Sequence, residues 1–241
     1  MRKAAAIIPS RYQSRRFPGK PLAPILGKPM LQRVYEGVCE AKRVDRVIIA
    51  TDDERILNAA RDFGAEAWMT AAAHQTGTER VAEVARGLRE SLIINVQGDE
   101  PLIAGEMIDS LVEVLQEGST RMASLMAKVE DMGLIQDPNI VKVVVDRNGF
   151  ALYFSRSPLP FRPKDYFFQH VGVYGFRRDF LLRFVATGRS RLEETENLEQ
   201  LRALENGYRI RMVATARPTL SVDTPGDIIK AENVLRERQD V

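Results

Sequence analysis

Four runs in the first hundred residues, KAAAIIP at 3–9, RVIIAT at 46–51, EAWMT at 66–70 and LIINV at 92–96, are apolar almost without interruption. A strand with one wet face alternates apolar and polar residues, whereas a strand covered on both faces does not. Between these runs lie MLQRVYEGVCEAK, DERILNAARDFG and TERVAEVARGLRE, in which apolar residues recur at three and four with charge on the opposite side, the period of an amphipathic helix. The order β-α-β-α-β-α-β leaves few solutions. It predicts an α/β fold, a Rossmann-like, mostly parallel sheet with helices on both faces. Ligands of such sheets sit beyond the carboxyl ends of the strands, where the loop that follows Pro9 and the segments TDDER and QGDEP fall.

After about residue 119 the pattern changes. KVVVDRNGFALYFSR predicts two strands around an Asn148-Gly149 turn and HVGVYGF another strand. RLEETENLEQLRALENG predicts a helix, RIRMVAT a strand, and a last helix starts at Thr224. No repeat or linker divides the 241 residues. The chain therefore reads as one domain of two halves, 1–118 and 119–241, the second a lobe added to the same sheet. Thirty-five basic against 33 acidic residues leave a formal charge of +2, too little for whole-surface attraction to nucleic acid or anionic membrane. The single cysteine, Cys39, cannot close an internal disulfide, and the first apolar run is too short for a signal-peptide core or a membrane span. A cytoplasmic protein is expected.

Against that balanced background, residues 7–30 carry Arg11, Arg15, Arg16, Lys20 and Lys28 and no acid. A cation-rich loop at a strand end suits a polyanionic small molecule, a nucleoside triphosphate before others, and Gly19 and Gly27 give it backbone freedom. Arg15, Arg16 and Lys28, taken singly, read as solvated surface charges. Arg11 and Lys20, just after the strand and at the Pro-Gly-Lys-Pro bend, read as crevice-facing. The sequence has neither G-x-x-x-x-G-K-[ST] nor G-x-G-x-x-G, which excludes a P-loop and the usual dinucleotide fingerprint.

NVQGDEP puts Asp99 and Glu100 at the end of a buried strand, where a carboxylate must be solvated, paired or holding a cation. Magnesium is the cation expected with triphosphates, and a helix cap is the structural alternative for Asp99. In SVDTPGDI, Thr224 and Asp227 form a capping box. Asp223, just before it, is the candidate second metal ligand.

IIPSRYQSRRFPGKPL, GTER, NVQGDEP, ALYFSR, HVGVY, LEQLR and VDTPGDI, in that order and spacing, resemble the 3-deoxy-manno-octulosonate cytidylyltransferases, over nearly the whole chain. The resemblance implies a fold of the nucleotide-diphospho-sugar transferase type, transfer of CMP from CTP to the sugar acid Kdo in lipopolysaccharide synthesis, magnesium as cofactor, and a homodimer. It implies that Arg11 and Lys20 bind the triphosphate, with Ser10 and Ser14 shaping the loop. Thr78, Glu79, Arg80 and Gln97 would line the cytidine site, and Asp99 and Asp223 would hold magnesium. Arg156, His170, Tyr174, Glu199 and Gln200 would meet the 2-keto-3-deoxy sugar acid, with the cationic members opposite its carboxylate. The second half would then be the sugar-binding and dimerisation part.

Some positions depart from the family. Ser10 replaces the commoner alanine, Ser221 and Gly226 the commoner glycine and glutamate, and the segment before His170 is short. The last point leaves another acidic sugar, such as 8-amino-Kdo or a sialic-acid-like sugar, as the alternative acceptor. A nucleotide-binding module without chemistry fits less well, since both Asp99 and Asp223 are present. A nucleic-acid-binding loop fits least, with only Tyr12 and Phe17 as aromatics beside its cations.

Overall fold

The first apolar run becomes β1 (Ala4–Ser10), buried at every residue. Ala5 and Ile7 pack into the core on one side of the sheet, Ala4, Ala6 and Ile8 into the core on the other, which is why the run shows no alternation. A turn at Lys20–Leu22 and the small hairpin of β2 (Pro24–Ile25) and β3 (Lys28–Pro29) lead into α1 (Met30–Cys39). The chain continues through β4 (Arg46–Thr51), α2 (Glu54–Asp62), β5 (Glu66–Met69), α3 (Gly77–Arg86), β6 (Leu92–Asn95) and α4 (Gly105–Gln116). The second half supplies β7 (Met122–Val129), β8 (Lys142–Val145), β9 (Ala151–Ser155), β10 (Phe167–Arg177), α5 (Arg178–Ala186), α6 (Arg191–Glu196), α7 (Leu201–Glu205), β11 (Ile210–Thr215) and α8 (Pro225–Gln239). This computed structural model describes residues 2–13, 17–216 and 220–239.

Among the described residues the main sheet has nine strands, seven of them in the order β11-β7-β10-β6-β1-β4-β5, with β8 and β9 attached beside β10. β1 pairs parallel with β4 and β6, β4 with β5, and β7 with β11, while β10 runs antiparallel between β6 and β7. The sheet is thus mostly parallel, as expected, and the second half adds strands to it. The chain leaves β1 toward β4 but returns by β6 to the opposite side of β1. A crevice opens between the carboxyl ends of β1 and β6, the place where such sheets bind ligands.

Three elements differ from the sequence reading. β7 was not foreseen, because MASLMAKV carries Ser124 and Lys128 among residues with little strand preference. α5 follows β10 directly, with Arg177 at its N-cap and no side-chain cap to mark its start. The helix read across 191–207 is two, α6 and α7, broken where Asn197 takes a left-handed backbone at φ 53°.

A third, small core of Ile25, Met30, Val222 and Ala231 seats α8 against the hairpin that follows the basic loop. Leu26 N donates to Glu232 Oε1 at 2.9 Å across the same seam. On the other flank, Gly37 of α1 lets the Ile103 carbonyl come so close that a Cβ at 37 would sit 2.3 Å from its oxygen. Gly37→Ala should therefore push on the segment that carries Asp99. A loss of about 1 to 3 kcal/mol is expected, the usual cost of overpacking, read as a lower urea midpoint with an unchanged denaturant slope.

Candidate active site

At the crevice the basic loop folds back on itself, Gly19 N donating to Tyr12 O at 2.8 Å. Gly19 takes φ 73°, a conformation that suits glycine. The Arg55 guanidinium lies 3.3 Å from the centre of the Tyr12 ring and is held by Asp53 at 2.7 Å. Lys20 begins the turn after Gly19, and its Nζ reaches Asp99 Oδ2 at 2.5 Å, the Val222 carbonyl at 2.9 Å and Asp223 Oδ1 at 3.5 Å. The structure thus brings Lys20, Asp99 and Asp223 together, from three distant places in the chain. Arg11 is exposed, one residue past the end of β1. Ser10 Oγ is buried there without a hydrogen-bond partner among the described residues. Ser14, Arg15 and Arg16 lie outside the described residues. Lys28, read as a surface charge, pairs with Glu36 at 2.7 Å.

Asp227 accepts from Thr224 N at 3.0 Å and from the Thr224 hydroxyl at 2.8 Å, as a capping residue should. Burial pushes its carboxyl pKa up, but the bonds from Lys230 and Thr224 outweigh it and bring it down to about 2. Glu100 faces the other way, into a cleft, where burial and then the Asp99 charge raise its pKa to about 8.

The segment read as the cytidine site is the first turn of α3. Thr76 caps it, accepting from Glu79 N at 3.1 Å, while Glu79 Oε2 accepts from Gln75 N at 2.7 Å. Behind it runs a buried chain of bonds. Gln97 Nε2 donates to Asn95 Oδ1 at 3.0 Å, Asn95 Nδ2 to Thr78 Oγ1 at 3.0 Å, and Thr78 Oγ1 to Glu199 Oε2 at 2.7 Å. Arg80 is buried against Asp52 at 2.9 Å and Thr70. These contacts leave Gln97 and Glu79 as the partly exposed members of the set.

Next to this lies a cleft of about 180 Å³, with Glu100, His170, Tyr174 and Gln200 in its wall. His170 is buried, and burial lowers its pKa to about 3, so the imidazole is neutral. Its neighbours select one tautomer. Ser124 Oγ has a single proton, which goes to Val173 O at 2.8 Å, so Ser124 accepts from His170 Nε2–H at 2.8 Å. Nδ1 then accepts from Gln200 Nε2 at 3.5 Å, and Tyr174 OH donates to Gln200 Oε1 at 3.1 Å. Glu199 does not share the cleft wall. It lies behind, against Thr78 and 3.7 Å from Arg202, with its pKa raised by burial against the pull of both. Arg156 spends its guanidinium on the carbonyls of Glu196, Pro138 and Asn197, at 3.0, 2.9 and 3.4 Å. With His170 neutral, Arg156 is the cation of this group.

The sequence profile of the cytidylyltransferase family matches residues 5–210 of this chain. The chain is a cytidylyltransferase by family. A 3-deoxy-manno-octulosonate cytidylyltransferase of Syntrophotalea carbinolica is 51% identical over 245 residues, covering 96% of this chain and 98% of its own. One from Pelobacter propionicus is 52% identical over 249 residues, covering 97% and 98%. Among solved structures, a CMP:2-keto-3-deoxy-manno-octonic acid synthetase complexed with CTP superposes with a TM-score of 0.93 at 39% identity, covering 98% of this chain and 99% of its own.

Sequence reading of this cytidylyltransferase missed Ser124, Asn95 and Asp52. Ser124 and Asn95 are single polar residues inside or at the end of apolar strands, and that cost of burial is the signal that marks them; Asp52 stands among other polar residues just after β4. Ser124 sits where β10 bulges between Val171 and Tyr174, and its hydroxyl serves the carbonyls there. The neutral His170 has a consequence for acid stability. Its folded pKa lies below the ordinary value near 6.5, so the unfolded chain takes up a proton that the native state refuses, and stability falls as pH drops below that value. Between pH 7 and 4.5 this one group should cost about 2 to 3 kcal/mol. Urea titrations of wild type and His170→Gln at the two pH values should show that much less acid loss in the variant.

Proposed function

We infer that the chain transfers CMP from CTP to the anomeric hydroxyl of 3-deoxy-D-manno-octulosonate, releasing pyrophosphate and supplying CMP-Kdo for lipopolysaccharide synthesis. The observation that carries this reading is an identity of about half the residues, over almost the full length, with proteins named for that activity. The same names disfavour an 8-amino or sialic-acid-like acceptor. The crevice adds physical support, since a cationic phosphate end adjoins a polar cleft large enough for part of a sugar acid.

The anomeric hydroxyl attacks the α-phosphorus in line and loses its proton to water, a new P–O bond forms, and the bond to the bridging oxygen breaks as pyrophosphate leaves. Negative charge grows on the leaving oxygens, and fixed cations stabilise it. Lys20, held in place by the Val222 carbonyl, and Arg11 take that part. Gln97 and the first turn of α3 hold the cytosine, and His170, Tyr174 and Gln200 orient the sugar, with Arg156 as the cation nearest its carboxylate.

Asp99 and Asp223 fit a magnesium ion. Their carboxylates already converge on one cation, the Lys20 ammonium, from two facing loops. No three acidic, histidine or cysteine side chains cluster among the described residues, so an ion held there would complete its shell with phosphate oxygens and water. When bound, magnesium supplies charge neutralisation of the phosphates and acidifies the attacking hydroxyl. We also place the protein in the cytoplasm. No described helix is long and apolar enough to cross a membrane. Exposed Leu152, Phe161 and Tyr166 on the second half suit a homodimer contact.

Pyrophosphate release with Kdo should be faster with CTP than with ATP or GTP by at least about a hundredfold, because two unpaired buried polar groups suffice for that ratio. Equal rates with ATP would overturn the assignment. Release with Kdo should also exceed that with 8-amino-Kdo or a sialic acid. Asp223→Asn separates a metal ligand from a residue that only precedes a helix cap. As a ligand variant it should lose turnover by at least about a hundredfold with little change in melting temperature. As a cap variant it should lose about 1 kcal/mol of stability and keep its rate.

A further inference from the structure

β8 opens on a lysine with no solvent exposure, Lys142. Its ammonium has three donors, and three backbone carbonyls meet them: Asp137 O at 3.0 Å, Ile140 O at 2.7 Å and Arg156 O. Burying a charge among main-chain carbonyls is costly, and desolvation draws the lysine pKa down despite the opposing Asp137 charge. An apolar residue here would avoid that cost but leave the Ile140 and Arg156 carbonyls without this donor and Asp137 O with only Ile140 N at 3.2 Å.

The carbonyls come from two segments. Asp137 and Ile140 belong to the loop before β8, and Arg156 follows β9. Arg156 returns the contact, its Nη1 donating to Pro138 O of that loop. The loop is also tied to β10, where His170 N donates to Val141 O at 2.8 Å. Asp137 Oδ1 accepts from both the backbone N and the side-chain Nδ2 of Asn139, at 2.8 and 3.0 Å. Asn139 and Val141 line the cleft together with Leu198 and Gln200.

We propose that Lys142 is a positioning residue for the acceptor sugar. By gathering the Asp137, Ile140 and Arg156 carbonyls on one ammonium, it holds Asn139 and Val141 in the cleft lining and ties the segment after β9 to their loop. It touches neither nucleotide nor reacting atoms. The inference rests on the functional reading above and adds a residue on which sugar affinity depends, while the triphosphate end is left alone.

Lys142→Met keeps the length of the stem and removes the ammonium. In pyrophosphate-release assays with CTP and Kdo, the variant should raise KM for the sugar acid at least tenfold while KM for CTP stays within twofold of wild type. Asn139→Ala, at an exposed loop position, should raise the sugar KM at least threefold and also spare CTP. A folded Lys142→Met enzyme with a sugar KM within twofold of wild type, or with both KM values raised in parallel, overturns the proposal. If Lys142→Met does not fold, a normal sugar KM in Asn139→Ala overturns it. Wild-type enzyme that turns over no sugar acid with CTP overturns the functional reading and this role with it. An active wild type with two kinetically normal variants overturns this role alone.

Discussion

The Lys20 ammonium lies between Asp99 and Asp223, with the Val222 carbonyl as a third acceptor. Three parts of the chain must converge for this to happen: the loop after β1, the loop after β6, and the stretch before α8. Parallel pairing of β1 with β6 sets the first two side by side. The third is delivered by the small apolar core under α8, which has no part in the sheet. Two carboxylates this close would repel each other if nothing positive lay between them. One lysine offsets part of that repulsion and leaves the pair of carboxylates with one negative charge in excess.

Around this point the site is built in two layers. A front layer, Gln97, His170, Tyr174 and Gln200, borders open space. A rear layer, Thr78, Asn95 and Ser124, is buried and hydrogen-bonded, with the half-buried Glu199 against it. Asn95 holds Gln97 and Ser124 holds His170, which is how a site on strand ends gains rigidity that a bare loop lacks. The buried Glu193–Arg202 pair, two-pronged at 2.7 and 2.6 Å, extends that support one step further behind Glu199.

The sheet was legible because residues covered on both faces cannot alternate, and the crevice followed from strand order. Lys20 and Asp99 were legible for a related reason, since a lysine at a Pro-Gly bend and an acid at the end of an apolar strand are each expensive without a partner. The pairing itself was not, because nothing local in SVDTPGDI says which loop Asp223 will face. The resemblance gathered Glu199 and Arg156 with His170 as one set, whereas the fold puts Glu199 behind the wall and spends Arg156 on carbonyls. Residue type and order carry chemistry but not depth. Lys142 shows the limit most clearly: a lysine at the head of KVVV reads as an exposed strand end, and only the three carbonyls that surround it reveal otherwise.

The packing of α8 on the hairpin after the basic loop also bears on how the molecule comes into being. Synthesis delivers Lys20 early and Asp223 late, and strands β1, β4, β5 and β6 can begin to pair while most of the second half is still being made. The lysine then waits beside Asp99 without its second carboxylate, and Ile25 and Met30 wait without their cover. In chains that have not yet exposed residue 223, Lys20 lacks the Val222 carbonyl and the Asp223 carboxylate as acceptors. The cluster around Lys20 is thus completed only once the segment before α8 has taken its place.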